Sequence, residues 1–147
     1  MTISENRINP FAKFGYIAAF VALIGLGDSI YLTVQHYTAA PVPCSIVAGC
    51  ETVLSSSYAT LAGIPLSVFG IIAYFIAFIL AILTIYGKSK AWLLFGLQTI
   101  LMAFFTGWLL YLQGFVIGAF CQFCLLSAAS TFTLFIIAAG SKFWRSR

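Results

Sequence analysis

The chain has 147 residues, of which 63% are hydrophobic and 7% charged, where an ordinary soluble domain carries roughly a quarter charged residues. With 17% aromatic residues and a mean hydropathy of +1.09, this composition excludes a soluble domain and fits about four membrane helices of roughly 20 residues each, in one domain. The net charge of +4 rests on seven Lys and Arg, too few for a phosphate-binding surface, so nucleic acid is excluded as a partner.

Residues 1–13, with Arg7 and Lys13, read as a short polar cytoplasmic tail. The first span runs over 14–37. It exceeds the roughly 7–15 residues of a signal-peptide core and is read as a retained helix. Gly15, Ala18, Ala22, Gly25 and Ser29 recur at spacings of three and four, a small-residue stripe that lets a second helix approach closely. Asp28 lies in the outer half of this span. A carboxylate at such depth is costly and faces the bundle or water, so Asp28 reads either as a proton relay or as a carboxyl satisfied by Ser29, Tyr31 and Thr33. His36, at the helix end, reads as an interfacial polar residue.

The first loop, 38–60, is broken by Pro41, Pro43 and Gly49 and carries Cys44 and Cys50, with a short interfacial helix expected after Cys50. The second span runs over 61–86 and opens with Gly63-Ile64-Pro65, since proline is tolerated in a first turn. After the basic turn Gly87-Lys88-Ser89-Lys90, the third span covers 91–113, with Trp92, Trp108 and Tyr111 near its ends as in an aromatic belt. A short connection over 114–118 leads to the fourth span, 119–140. This last run opens on Cys121-Gln122-Phe123-Cys124. Residues three apart share a helix face, and the helix dipole favours a thiolate near Cys121.

The basic residues fall only in the N-terminal tail, the 87–90 turn and the C-terminal tail. With four spans these segments share a side, and the positive-inside rule makes both termini cytoplasmic. Cys44, Cys50, Cys121 and Cys124 then meet at the outer, oxidising face. Pairing within each motif and a crossed bond such as Cys50–Cys121 are all open. Two structural disulfides would explain the location but not the C-x-x-C, because closing so small a loop constrains little chain entropy. A four-thiolate metal site is disfavoured by the C-x5-C spacing, and no metal is expected. A redox relay explains most: a loop pair accepts electrons from a soluble dithiol protein and passes them to the helix pair by thiol–disulfide exchange.

Taken together, C-x5-C in the first outer loop, Ser55-Ser56-Ser57-Tyr58 after it, Gly63-Ile64-Pro65-Leu66-Ser67-Val68-Phe69-Gly70 at the second span and CQFC at the fourth resemble the vitamin K epoxide reductase family in its compact prokaryotic form. The resemblance covers roughly residues 14–140. It implies an all-α, four-helix transmembrane bundle in a prokaryotic plasma membrane. The activity implied is a quinone-dependent thiol-disulfide oxidoreductase supporting disulfide formation, with ubiquinone, menaquinone or a vitamin K type quinone as electron acceptor. Many relatives carry a fused thioredoxin-like domain. This chain stops after the fourth span, so a separate thioredoxin-like or DsbA-like dithiol protein is expected as partner.

By motif position, Cys44 would meet that partner, Cys50 would exchange with Cys121, and Cys124 would react with the quinone. Ser56 would hydrogen-bond a quinone carbonyl, and Leu54, Phe69, Gln113 and Ile117 would line the pocket. Asp28 matches no family motif. Reduction of vitamin K epoxide is the sister activity. A DsbB-type protein would place its C-x-x-C in the first outer loop, the reverse of the order here. A non-enzymatic four-span protein with structural disulfides is the alternative from another class.

Overall fold

The computed structural model describes residues 12–38 and 49–146. They form α1 (Ala12–Thr38), the short α2 (Cys50–Leu54), a 3-10 turn (Ser57–Ala59), a hairpin of β1 (Thr60–Leu61) and β2 (Ile64–Pro65), α3 (Leu66–Ile85), α4 (Ser89–Tyr111) running into a π-helical turn (Leu112–Ile117), and α5 (Gln122–Ser146). Four stretches are long and apolar enough to cross a membrane: Ala12–Thr38, Leu66–Ile85, Lys90–Ile117 and Gln122–Phe143. This is an all-α, four-helix transmembrane bundle. Around the bundle the order is α1, α3, α4, α5, with α5 returning to α1. Large apolar side chains such as Leu101, Phe104 and Phe115 point outward, where lipid tails solvate them.

The small-residue stripe of α1 is buried along its length, and Asp28 and Leu32 are buried with it. It lies on α3 in antiparallel register. A Cβ added at Gly15 would meet Ile85 Cγ1 at 2.8 Å, one at Gly70 would meet Ser29 Oγ at 2.7 Å, and one at Gly25 would run into the Tyr74 ring. The Thr33 hydroxyl donates to Ser29 O at 2.8 Å and lies 2.8 Å from Ser67 Oγ. Between membrane helices, where lipid is as apolar as leucine, such backbone proximity and interhelical hydrogen bonding replace the hydrophobic drive. Across the ring, the Tyr74 hydroxyl donates to Ser127 O at 2.6 Å and lies 2.8 Å from Thr131 Oγ1. Trp92 Nε1 donates to Ser141 Oγ at 2.8 Å, tying the start of α4 to the end of α5.

Helix ends differ from the sequence reading in three places. The second long helix starts at Leu66, because residues 60–65 pair as a hairpin, Thr60 with Pro65 and Leu61 with Ile64. Its two-residue turn has positive φ at Ala62 (54°) and Gly63 (81°), the signature of a hairpin turn whose twist matches its strands. The third helix continues through 112–117 as a π turn, so the connection expected over 114–118 falls at Gly118–Cys121. The fourth helix therefore starts at Gln122. With neighbouring helices antiparallel, Lys13, Lys88, Lys90 and Lys142 gather at one end of the bundle. The start of α2 and the CQFC segment lie at the other.

Candidate active site

Cys121 and Cys124 stand as free thiols at the N-terminus of α5. Gly118, with φ of 73°, ends the π turn in the left-handed region, where glycine alone escapes the Cβ penalty. The chain then doubles back onto Gln113. The Gln113 carbonyl accepts from Ala119 N at 3.1 Å, and its side-chain Oε1 accepts from Cys121 N at 3.2 Å. A glutamine buried in a π turn, a feature frequent at functional sites, thus fixes the backbone from which the first thiol projects.

The two sulfurs have different surroundings. Cys121 is completely buried and packs with Leu32 and Val53. Its sulfur accepts from Cys124 N at 3.3 Å. Cys121 precedes the fourth span. The Cys124 thiol and the N–H groups of Cys124 and Phe123 hold its pKa below the ordinary thiol value, at about 7, against the opposing effect of burial. Cys124, one turn further in, faces a cavity of about 1090 Å³ lined by the spanning helices and by the 53–61 segment. Of the CQFC pair, only Cys124 borders it.

Leu54, Ser56, Phe69, Gln113 and Ile117 all line this cavity, as does Asp28. Two details go beyond the pocket expected from sequence. The Ser56 hydroxyl donates back to Val53 O at 2.7 Å, closing the turn after α2 while facing the cavity. The Gln113 amide oxygen is taken up by Cys121, so this residue positions the dithiol as well as lining the space. Asp28 is not satisfied by Ser29, Tyr31 and Thr33: neither carboxylate oxygen has a hydrogen-bond partner among the described residues. Cys44 lies outside the described residues, and for Cys50 the backbone alone is described, at the first position of α2.

The preceding residue, Gly49, shows how the loop meets the helix pair. A Cβ there would meet Phe120 N at 2.8 Å and collide with Phe120 O. The backbone just before Cys50 therefore rests on the backbone just before Cys121. Sequence reading took Gly49 only as a breaker of structure. Its position is informative in hindsight, since a glycine immediately before Cys50 permits such a close backbone approach. Gln98 and Tyr74 also border the cavity, and an amide in the middle of an apolar span is itself a signal. Among the described residues no group of three or more His, Cys, Asp or Glu could hold a metal ion.

The sequence profile of the vitamin K epoxide reductase family matches residues 16–139. The chain belongs to that family. It is also 33% identical, over 120 residues, to the thiol-disulfide oxidoreductase LTO1 of Arabidopsis thaliana, an alignment covering 76% of this chain and 32% of the relative. The chain thus spans about a third of the length of that relative. Family membership and the four apolar helices make this a multi-pass membrane protein of the vitamin K epoxide reductase family.

Proposed function

We propose that this family member passes electrons from a thioredoxin-like or DsbA-like dithiol protein outside the membrane to a membrane quinone, and so supports disulfide formation. The observation that carries the reading is the division of labour at CQFC. Cys121 is buried against the loop segment, and Cys124 opens onto a large, mainly apolar cavity. In this mechanism the partner's thiolate attacks Cys44 of a Cys44–Cys50 disulfide. The freed Cys50 thiolate attacks Cys121 of a Cys121–Cys124 disulfide, releasing Cys124. The partner's second thiolate then displaces Cys44 and leaves as a disulfide, and the freed Cys44 thiolate attacks Cys50, re-forming Cys44–Cys50 and releasing Cys121. The reduced Cys121–Cys124 pair gives two electrons and two protons to a quinone beside Cys124 and closes again as a disulfide.

Cavity volumes of roughly 300–1,000 Å³ suit small organic ligands, and this one has room for a quinone head with part of a tail. It is bordered on α3 by Ile72 and Ile76 and on α4 by Leu97 and Leu101, all of which are also exposed on the bundle surface, which supports entry from the bilayer between α3 and α4. The quinone supplies the redox chemistry, and the protein supplies position and thiolate stabilisation. Ser56, Leu54, Phe69, Gln113 and Ile117 form the wall around the ring. The orientation that goes with this function has both termini cytoplasmic and the four cysteines outside, in a plasma membrane. It follows the clustering of lysines at the opposite end of the bundle.

Trapping tests the exchange step. In a Cys44→Ser/Cys124→Ser double variant no neighbouring thiol remains to resolve a bond between the pairs, so mild oxidation should leave a Cys50–Cys121 disulfide, read by peptide mass mapping. Free thiols at both positions after that treatment would reject direct exchange.

A further inference from the structure

One carboxyl in the cavity has no assigned task. Asp28 is 7% exposed, lies ten residues from the end of α1 at Thr38 and borders the same cavity as Cys124. Among the described residues neither of its oxygens has a hydrogen-bond partner. The hydroxyl that sequence reasoning offered it, on Thr33, is engaged with Ser29 O and Ser67. A second side chain shares this condition. Gln98 Nε2 donates to Ala73 O at 2.6 Å, which fixes the amide and leaves Oε1 buried and without a partner among the described residues. Three buried oxygens on residues that border the cavity thus have no hydrogen-bond partner among the described residues. Leaving buried polar atoms unpaired is costly, and such an arrangement fits a ligand that brings O–H groups. A hydroquinone brings two.

We propose that Asp28 is the group that exchanges a proton with the ligand oxygen as the ring is reduced, with Gln98 Oε1 as a neighbouring acceptor for a ligand hydroxyl. The proposal rests on the quinone reading above. The step balances without another reagent. Oxidation of the dithiol breaks the S–H bonds of Cys121 and Cys124, forms one S–S bond and releases two electrons and two protons. The quinone takes both electrons and both protons and forms two O–H bonds. Asp28 gives its proton to one ligand oxygen and is reprotonated from the thiol side. Hydroxyl side chains border the same cavity. Ser127, one turn beyond Cys124, borders the cavity, and its Oγ lies 2.9 Å from the Tyr74 hydroxyl, whose ring packs against Gly25 one turn before Asp28. A charge at this depth is costly, and a carboxyl that trades its proton with a bound ligand is charged only in passing.

The chain contains one aspartate, so labelling with 13C-aspartate reports on Asp28 alone in the wild-type protein. Infrared difference spectra are recorded as the dithiothreitol-reduced protein in lipid turns over menadione. A carboxyl band that changes on reduction and shifts with the label supports the proposal, and an aspartate band that stays constant during turnover overturns it. In steady state, Asp28→Asn should lower kcat about 10²-fold, in the range of general acid–base catalysis, with the KM for menadione changed less than about three-fold. An unchanged kcat overturns the proposal while leaving the quinone reading intact. If Asp28→Asn does not fold, the labelled wild-type spectrum decides alone. A wild-type protein that reduces no quinone would sink the quinone reading and this proposal together.

Discussion

The α1–α3 seam and the α3–α4 side of the bundle are built from similarly apolar helices, yet one is closed and the other is hollow. Along the seam Gly15, Ala18, Ala22 and Gly25 present almost no side chain, and the helices lie so close that an added methyl at Gly25 would run into the Tyr74 ring and one at Gly70 into the Ser29 hydroxyl. On the other side α4 turns larger residues, Gln98, Met102 and Phe105, toward a cavity of about 1090 Å³. Side-chain size at the contact sets how near two helices come, and here it separates a rigid wall from a ligand space. Substitutions in the wall should change stability and leave the chemistry alone. Substitutions where the loop and dithiol meet should do the reverse.

The largest effect is expected at Gly49. Gly49→Val would push the loop off Phe120 and move Cys50 away from Cys121. Exchange between the pairs, followed by stopped-flow after mixing with a reduced dithiol partner, should slow about 10²-fold, since small displacements of reacting groups cost that much. Thermal stability should change little. A wild-type rate would mean that the Gly49–Phe120 contact does not set the approach. Next comes the seam itself. Gly25→Ala forces the Tyr74 ring to move, and overpacking of this kind costs about 1–3 kcal/mol. It should lower the unfolding midpoint in detergent, and an unchanged midpoint would mean that the seam has slack at Gly25.

The third effect is a pH dependence of the dithiol. With Cys121 lowered to about 7, its thiolate gains as pH rises through that value. Roughly a tenth is ionised at pH 6 and roughly nine-tenths at pH 8. Single-turnover oxidation of the pre-reduced protein should rise about tenfold over that interval and level off, whereas an unperturbed thiol would keep climbing beyond it. The smallest effect is at Gly27, two residues from Gly25 on the same helix, where an added methyl meets nothing within 4 Å. Gly27→Ala should leave the midpoint unchanged or raise it, by under about 1 kcal/mol through helix propensity. A loss as large as that of Gly25→Ala would erase the contrast between packed and open faces.

Much of this architecture is legible in the sequence because its causes are local. Four apolar runs, the spacing of small residues in α1 and the confinement of Lys and Arg to alternate connections each follow from the bilayer as solvent. The cavity's border could be anticipated in part. Leu54, Ser56, Phe69, Gln113 and Ile117 all lie on it, through resemblance to the family's motifs rather than any periodicity. What could not be read depends on contacts between distant segments. The Gln113 bond to Cys121 N needs the π turn, which shifts the register of a helix whose sequence carries no signal for it. The Gly49 seat on Phe120 joins residues far apart in the chain. The hairpin ahead of α3 requires Ala62 in a left-handed conformation, against its intrinsic preference. The unpartnered state of Asp28 follows from where Thr33 spends its hydrogen bonds.

The central claim is that Cys124 delivers electrons to a quinone in the cavity it borders. The direct measurement is quinone reduction, followed by absorbance, by the purified protein in lipid with dithiothreitol as donor. Wild-type protein should reduce menadione or a short-tail ubiquinone catalytically, and Cys124→Ser and Cys121→Ala should each abolish that turnover in folded protein. Turnover that persists in Cys124→Ser would contradict the account.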